Sequence, residues 1–295
     1  MQDYCIRVSA GNGSIRAFAT TTTRLVGEAC RRHKTSPTAS AALGRVLTAS
    51  VMMGLMLKGD DLVTLRVLGD GSLGAVVATA NAKGQARGYV QEPQAETPNK
   101  TPGKIDVGTG IGKNGTLYVT KDLGLKEPYT GSVPLVSGEI AEDLAYYYQV
   151  SEQTPSAVAL GVLVDVDYSI LASGGFIIQL MPDASEEIAI VLEEKVNALP
   201  PLSELIREGE TPEDILARIL GDFEMVIHDR IPVEFKCSCS KSRLESVLIS
   251  LGEKELEELI REQGEAHLVC HFCAEQYTFS KAELENLLLQ AREQE

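Results

Sequence analysis

The chain has 295 residues, of which 44% are hydrophobic and 23% charged, and this is the composition of a folded soluble protein of two or three domains. Its net charge of −15 arises in one half: residues 1–182 hold 16 acidic and 16 basic side chains, whereas residues 183–295 hold 26 acidic and 11 basic ones. Because nucleic-acid binding needs a basic face, this acidic half argues against a nucleic-acid partner. No apolar run approaches the roughly 20 residues of a membrane helix, so we expect no membrane partner either.

The N-terminus, Met1-Gln2-Asp3-Tyr4, lacks the basic and then apolar pattern of a signal peptide. We therefore expect the protein to be cytoplasmic, where thiols are normally reduced. In that compartment the 6 cysteines are interpreted as ligands, redox groups or small buried side chains, and not as a permanent disulfide framework.

Residues 1–182 predict an N-terminal β-rich mixed α/β domain. Gly11-Asn12-Gly13 indicates a hairpin between two short strands. Ser36-Pro37 is a helix start, and the apolar residues up to Met56 predict a long buried helix. A second helix is expected to begin at Ser137 and to include Tyr146-Tyr147-Tyr148. Further strands are expected at 63–68, 73–80, 85–91, 115–120, 158–164 and 170–180, with Gly174-Gly175 as a bulge or bend of the last hairpin.

After Pro182 the pattern becomes helical. Residues 183–232 predict a helical linker, in which residues 184–199 form an acidic amphipathic helix and Thr211-Pro212-Glu213-Asp214 is a capping box. Residues 233–295 predict a small C-terminal domain with helices on both sides of Gly252 and a final helix after the capping box Ser280-Lys-Ala-Glu283. The predicted fold class is therefore α+β, with three parts.

Four cysteines in the C-terminal part form the most specific motif, Cys237-x-Cys239 and Cys270-x-x-Cys273. Two close thiol pairs supply the four sulfurs that a tetrahedral zinc ion prefers, so we predict one zinc per chain, with an iron–sulfur centre as the minor alternative. His267 and His271 flank the second pair and offer an alternative ligand in place of a sulfur, but four sulfurs already complete the site, which favours histidines outside the ligand set. The sulfurs are also close enough to form disulfides, and the residues alone leave open whether the site is structural or a redox switch.

Other candidate groups carry less weight. Cys5 lies in a strand pattern and is interpreted as a buried small side chain, whereas Cys30 precedes Arg31-Arg32, which favours some thiolate character. The glycine-rich stretch 108–112 lacks the Lys-Ser/Thr ending of a phosphate loop and predicts a turn or bulge. No nucleophile and base occur at a recognisable spacing, so we expect no enzymatic activity.

The cysteine arrangement resembles that of the redox-regulated 33-kilodalton heat-shock chaperone (chaperonin) family. The resemblance covers essentially the whole chain and fills all four thiol positions. It extends to the segments Phe235-Lys-Cys-Ser-Cys-Ser-Lys-Ser-Arg, Val269-Cys-His-Phe-Cys-Ala-Glu-Gln-Tyr-Thr-Phe, Gly59-Asp-Asp-Leu-Val-Thr-Leu-Arg and Val133-Pro-Leu-Val-Ser-Gly-Glu-Ile-Ala.

This resemblance implies an ATP-independent holdase that binds unfolding client proteins under oxidative stress. It implies that the reduced form, with zinc on Cys237, Cys239, Cys270 and Cys273, is inactive. It further implies that oxidation forms the disulfides Cys237–Cys239 and Cys270–Cys273 and releases zinc. The C-terminal region and the linker would then unfold, and the oxidised protein would act as a homodimer.

Two other functions compete with this interpretation. A zinc-ribbon nucleic-acid-binding protein has a comparable cysteine pattern, but the net charge of the C-terminal half argues against it. A thiol–disulfide oxidoreductase expects one reactive pair at the start of a helix in a βαβ unit, and both pairs lie outside such a pattern.

Overall fold

The structure is a computed structural model that describes residues 2–98 and 105–292. It divides into two compact units, Met1–Lys236 (unit 1) and Cys237–Glu295 (unit 2). Within the described ranges, no helix is both long enough and apolar enough to cross a membrane. Helices and strands are both abundant, so the predicted α+β class is confirmed.

Unit 1 is built from strands and helices that alternate along the chain. Its strands are β1 (Tyr4–Ala10), β2 (Ile15–Thr21), β3 (Leu62–Leu68), β4 (Ala75–Asn81), β5 (Gln85–Val90), β6 (Thr116–Asp122), β7 (Tyr129–Pro134), β8 (Ser156–Val164), β9 (Ile170–Leu180), β10 (Val226–Pro232) and β11 (Glu234–Phe235). Its helices are α1 (Thr23–His33), α2 (Pro37–Gly54), α3 (Val107–Ile111), α4 (Ala141–Val150), α5 (Glu186–Asn197), α6 (Leu202–Arg207) and α7 (Pro212–Leu220).

The strands of unit 1 form two sheets. The first sheet has the order β10-β1-β2-β9-β8, and the second has the order β11-β5-β4-β3-β6-β7. The β11–β5 pair is parallel, and the other described pairs in these sheets are antiparallel. The predicted hairpins are confirmed, with a 3₁₀ turn at Gly11–Gly13 between β1 and β2.

Helix α2 is the centre of unit 1 and packs against strands of both sheets. Every residue in it except Pro37 and Arg45 is buried, as the apolar pattern predicted. Its start is fixed by Ser36, whose Oγ accepts a hydrogen bond from the backbone N–H of Ala39 at 3.2 Å. A side chain at Gly44 would approach Val26 and Val162 to 2.8 Å, so glycine is needed there for the close packing.

The second predicted helix begins later than the sequence indicated. Helix α4 begins at Ala141 and not at Ser137, because residues 136–140 form a loop around a buried carboxylate. The carboxylate of Asp143, which is 0% exposed, accepts hydrogen bonds from four backbone N–H groups of that loop. Gly138 and Ile140 both have positive φ, which a continuous helix does not allow.

Two glycine predictions were wrong in detail. Gly174 and Gly175 lie in regular register with both neighbouring strands, and the β8–β9 irregularity is between Leu163 and Val164. The glycines are required instead for close packing, since a Cβ at Gly174 would lie 2.4 Å from the carbonyl oxygen of Thr20. The stretch 108–112, predicted as a turn or bulge, belongs largely to the short helix α3, which Asp106 caps.

Helices α5, α6 and α7 cover the face of the first sheet that is opposite to α2. They contribute Leu192, Leu202, Leu205, Ile215, Leu216, Ile219 and Leu220 to a cluster with Ile6, Val8, Ala17, Phe176 and Ile178 of the strands. Residues 226–232, at the end of the range assigned above to the helical linker, form strand β10 and pair with β1. The segment between β9 and β10 is therefore held by the sheet at both of its ends.

Unit 2 contains helices α8 (Lys241–Ile249), α9 (Glu253–Glu262) and α10 (Lys281–Arg292) and the hairpin β12 (Glu265–Val269) and β13 (Gln276–Ser280). The capping box at Ser280 and Glu283 is confirmed, whereas the hairpin was missed. The described hydrophobic core is small and consists of Leu248, Leu256, Ala266, Phe279, Leu284, Leu287 and Ala291. Because a core of this size stabilises a domain only marginally, a further source of stability is expected.

We predict that Asp143→Ala lowers the free energy of unfolding of unit 1 by about 2–4 kcal/mol, because several buried N–H groups lose a charged acceptor. Urea unfolding followed by circular dichroism measures this change. Asp183→Ala, at an exposed position, is the matched control and should change the free energy of unfolding by less than about 0.5 kcal/mol. An equal effect of both substitutions would contradict the role given to Asp143.

Candidate metal centre

The first thiol pair precedes a helix. Cys237 and Cys239 lie in a segment without helix or strand, and Ser240 caps α8 directly after it. The Oγ of Ser240 accepts a hydrogen bond from the N–H of Arg243 at 3.2 Å, which fixes where the helix begins. The backbone at the two cysteines is therefore free of helical hydrogen bonding, and both sulfurs can turn to the same side.

The second thiol pair forms the turn of the β12–β13 hairpin. The N–H of Cys270 bonds to the carbonyl of Glu275 at 2.9 Å, and the N–H groups of Cys273 and Ala274 bond to the carbonyl of Cys270 at 3.3 and 2.8 Å. Ala274 has a φ of 55°, which lets the chain turn back sharply after Cys273. The two residues between Cys270 and Cys273 thus form one tight turn, from which both sulfur atoms project.

The four sulfur atoms converge on one point, as the sequence predicted. All lie within 4.8 Å of one another, with 3.7 Å between the Sγ atoms of Cys237 and Cys270 and 3.3 Å between those of Cys239 and Cys273. A tetrahedral ion with sulfur at about 2.3 Å requires sulfur–sulfur distances of about 3.8 Å. The four cysteines therefore lie close enough together to hold a single metal ion.

Neither flanking histidine belongs to this group within the described residues. His267 lies on β12 and contacts the Oγ1 of Thr278 and the carboxylate of Glu265, both at 3.1 Å. His271 lies between the two cysteines of the hairpin turn and is not part of the sulfur cluster. The donor set is thus all sulfur.

Tyr277 is a neighbour of the site that the sequence analysis missed. Its hydroxyl donates a hydrogen bond to the Sγ of Cys239 at 3.2 Å, and this bond raises the pKa of the tyrosine. The only sequence signal was an aromatic residue four positions after Cys273, which by itself is not specific. Tyr277 contributes one hydrogen bond that holds the Cys239 sulfur in place.

Burial and hydrogen bonding act in opposite directions on the thiols. Burial raises the pKa of Cys237 and of Cys273, because a thiolate is poorly solvated there. Burial also opposes ionisation of Cys239, but hydrogen bonds from Tyr277 and from the other thiols outweigh it and lower the pKa of Cys239. Four thiolates at this spacing repel one another, so the cluster in its ionised form needs a cation.

The two remaining cysteines lie in unit 1, apart from this cluster. Cys5 is 1% exposed on β1, as predicted, and burial raises its pKa. Cys30 is 5% exposed, and burial likewise raises its pKa, so the suggested thiolate character was wrong. Hydrogen bonds with Thr35 and Ser40 only partly offset the effect of burial on the pKa of Cys30, and Arg31 and Arg32 both pair with the carboxylate of Glu28.

Comparisons with known proteins agree with one another. The model of a protein family described as Hsp33 protein matches residues 3–280. A "33 kDa chaperonin" of Desulforamulus reducens is 54% identical over 295 residues, and the match covers 100% of this chain and 100% of the relative. The "33 kDa chaperonin" of Bacillus subtilis (strain 168) is 51% identical over 285 residues, which are 97% of this chain and 98% of the relative.

A solved structure has the same fold. The crystal structure of the 33 kDa chaperonin (heat shock protein 33 homolog) of Thermotoga maritima superposes with a TM-score of 0.92 and is 37% identical, covering 99% of this chain and 100% of the other. The family match, the full-length relatives and the shared fold identify this chain as a member of the Hsp33 chaperone family.

Proposed function

We propose that this protein is a redox-regulated, ATP-independent holdase of the cytoplasm, a chaperone without enzymatic activity that binds unfolding proteins under oxidative stress and prevents their aggregation. The observation that carries the proposal is the convergence of four sulfurs within 4.8 Å in a unit with a small hydrophobic core. Membership of a chaperone family supports the same conclusion.

Cys237, Cys239, Cys270 and Cys273 would hold one zinc ion in the reduced form. Their all-sulfur donor set suits zinc, and a multi-iron cluster would need its ligands spread around a larger inorganic core. When bound, zinc supplies coordination free energy of about 10–16 kcal/mol in small zinc peptides, which is comparable to the stability of a whole domain. The fold of unit 2 would therefore depend on these four side chains staying reduced.

Oxidation would change these same side chains. The thiolates of Cys237 and Cys239 lose two electrons and form one S–S bond, while hydrogen peroxide takes up the two electrons and two protons and becomes two water molecules. The pair Cys270 and Cys273 reacts in the same way with a second peroxide. A disulfide no longer ligates a metal, so the small core of unit 2 is left without that stabilisation.

The linker is the second part of the proposed switch. Ile188, Leu192 and Val196 of α5 pack against the first sheet, as does Leu199, two residues after the helix ends. Val191 is half-buried beside them. We propose that these apolar side chains become available to clients after oxidation, when unit 2 and the linker unfold and the chain forms a homodimer. Burial of apolar surface then holds the client, and the acidic side chains of the C-terminal half keep the complex in solution.

The test compares two samples of the full chain in an aggregation assay with thermally unfolding citrate synthase. Reduced protein loaded with zinc should leave aggregation unchanged, whereas protein treated with peroxide at elevated temperature should suppress it without ATP. Zinc release is recorded in the same samples with a chromogenic chelator. Equal suppression by both samples, or suppression that requires ATP, would overturn the proposal.

The metal content follows directly from the donor set. We predict one zinc per chain in reduced protein, with about 2.3 Å between zinc and each sulfur. Metal analysis and X-ray absorption spectroscopy measure the ratio and the shell. Each of the substitutions Cys237→Ser and Cys273→Ser should reduce zinc binding by at least about a hundredfold, and Cys5→Ser is the matched control. A nitrogen in the first shell, or iron in place of zinc, would contradict the assignment.

Chelation separates the contribution of the metal from that of oxidation. We predict that a strong chelator under reducing conditions unfolds residues 237–292 and leaves residues 2–98 and the described strands up to Leu180 folded. Hydrogen exchange should show lost protection after about residue 236, and full client holding should still require oxidation or heat. Persistent protection of α9 and α10 without metal would show that zinc is not what stabilises unit 2.

Replacement of the two cysteines of unit 1 tests the assignment of the redox groups. Because Cys5 and Cys30 are buried with raised pKa values, we predict that the double variant Cys5→Ala, Cys30→Ala retains oxidant-induced suppression of aggregation. Circular dichroism confirms that the variant is folded. Loss of activation in a folded double variant would show that the redox groups were assigned wrongly.

A further inference from the structure

Strand β8 is an unprotected edge of the first sheet. It follows β9 in the strand order and has no second neighbour among the described strands. Its sequence, Ser-Ala-Val-Ala-Leu-Gly-Val-Leu-Val, contains no charge and no proline. Edge strands of natural proteins usually carry charged side chains or proline, which prevent pairing with other chains. Residues 156–163, which precede the irregularity between Leu163 and Val164, contain neither kind of protection, so this part of the edge is open to a partner strand.

The hydrogen bonds of β9 show which groups of β8 face outward. The N–H of Leu180 bonds to the carbonyl of Pro155 at 3.0 Å, and the carbonyl of Ser173 accepts from the N–H of Thr22 at 2.8 Å. Even-numbered residues of β9 therefore bond to β8, and odd-numbered residues bond to β2. By the observed register, Val158, Leu160 and Val162 direct their N–H and C=O groups away from β9.

These outward groups open into a groove. A cavity of about 880 Å³ lies along residues 160–164, between the first turns of α2 and the start of α6. Within residues 2–98 and 105–292, no hydrogen bond to the outward backbone groups of Leu160 and Val162 is found. Arg45 also lines this groove, and its buried Nε has no hydrogen-bond partner among the described residues. The groove thus offers backbone donors and acceptors in strand geometry.

The remaining lining defines the kind of occupant. Val166 and Tyr168, at the end of the groove, are 94% and 53% exposed, so apolar surface continues beyond the edge. The charged side chains of the lining are Arg45, which is paired with Glu139, and the carboxylates of Glu96, Asp165 and Glu204. A nucleic acid would be repelled there, and a helix has no free backbone groups to pair with the strand.

We propose that the groove beside β8 binds an extended apolar segment of an unfolded polypeptide by β-strand addition, with main-chain hydrogen bonds to Leu160 and Val162. The inference rests on the proposed function, since unfolded chains are the clients of a holdase. The site belongs to unit 1 and is present while the cysteines are reduced. Four backbone groups alone give weak binding, which is consistent with an inactive reduced form.

The test uses the reduced, zinc-loaded full chain and a ten-residue peptide of alternating valine and threonine between two terminal lysines, acetylated and amidated. Hydrogen exchange followed by NMR should show new protection at the amides of Leu160 and Val162 at saturating peptide. The amides of Ala159 and Gly161, which already bond to β9, should not change. This alternation is specific for strand addition, because side-chain binding alone would not distinguish neighbouring amides.

Two controls address the backbone and the groove separately. The same peptide, N-methylated at every internal residue, should bind at least tenfold more weakly, because it keeps the side chains and loses the donors. Leu163→Lys places a charge in the groove at a residue outside both hydrophobic clusters of unit 1, and should weaken binding of the unmodified peptide by a similar factor. Leu125→Lys, at a position that is 70% exposed, is the matched control and should leave binding unchanged.

Unchanged exchange at Leu160 and Val162, or equal binding of the N-methylated peptide, would overturn the β8 site. The holdase proposal would still be supported in that case if the oxidised chain suppresses citrate synthase aggregation. Protection of both amides together with a failure of the oxidised chain to suppress aggregation would support the β8 site and overturn the proposed function. Urea unfolding of both lysine variants shows whether their folds are intact. The comparison with the N-methylated peptide tests the β8 site without any protein variant.

Discussion

The convergence of four sulfur atoms on one point is the constraint on which unit 2 depends. Cys237 and Cys270 are separated by 33 positions in the chain, and their sulfurs lie 3.7 Å apart. This proximity joins the segment before α8 to the turn of the hairpin, and the small core behind it contains few large side chains. Because the ionised sulfurs repel one another, the arrangement is stable only with a bound cation or with the thiols protonated.

Unit 1 depends on a different interaction. Its stability comes from a helix that is buried on nearly all sides between two sheets, with Ser36 at its start and small residues where the strands approach closely. Burial of that much apolar surface needs no ligand. Unit 1 therefore has a large apolar core of its own, whereas the described core of unit 2 is small.

Helices α5 to α7 belong to unit 1 and cover one face of its first sheet. Their apolar residues pack on the first sheet, and polar bonds at the edge of that contact hold α7 in place. The hydroxyl of Tyr4 on β1 donates to the carboxylate of Glu213 at 2.6 Å, and the Nε of Arg230 on β10 donates to the same carboxylate at 2.7 Å. The first sheet also contains the edge strand β8. One sheet therefore has both a face that helices cover and an edge that is open to a partner strand.

Local signals in the sequence determined the thiol set, the capped helix starts at Ser36 and Ser280, the hairpins β1–β2 and β8–β9 and the division of charge, because each depends on residues that are close along the chain. Tertiary structure decided the rest. The loop before α4 forms around Asp143, whose four N–H partners follow from folding and not from a motif. The glycines of β9 are needed for close contacts with other elements. Strand β10 forms because it pairs with the edge of β1. Tyr277 contacts Cys239 only because the hairpin brings its second strand back to the sulfur cluster. Contacts between distant residues follow from the packing of the whole chain, which local propensity does not specify.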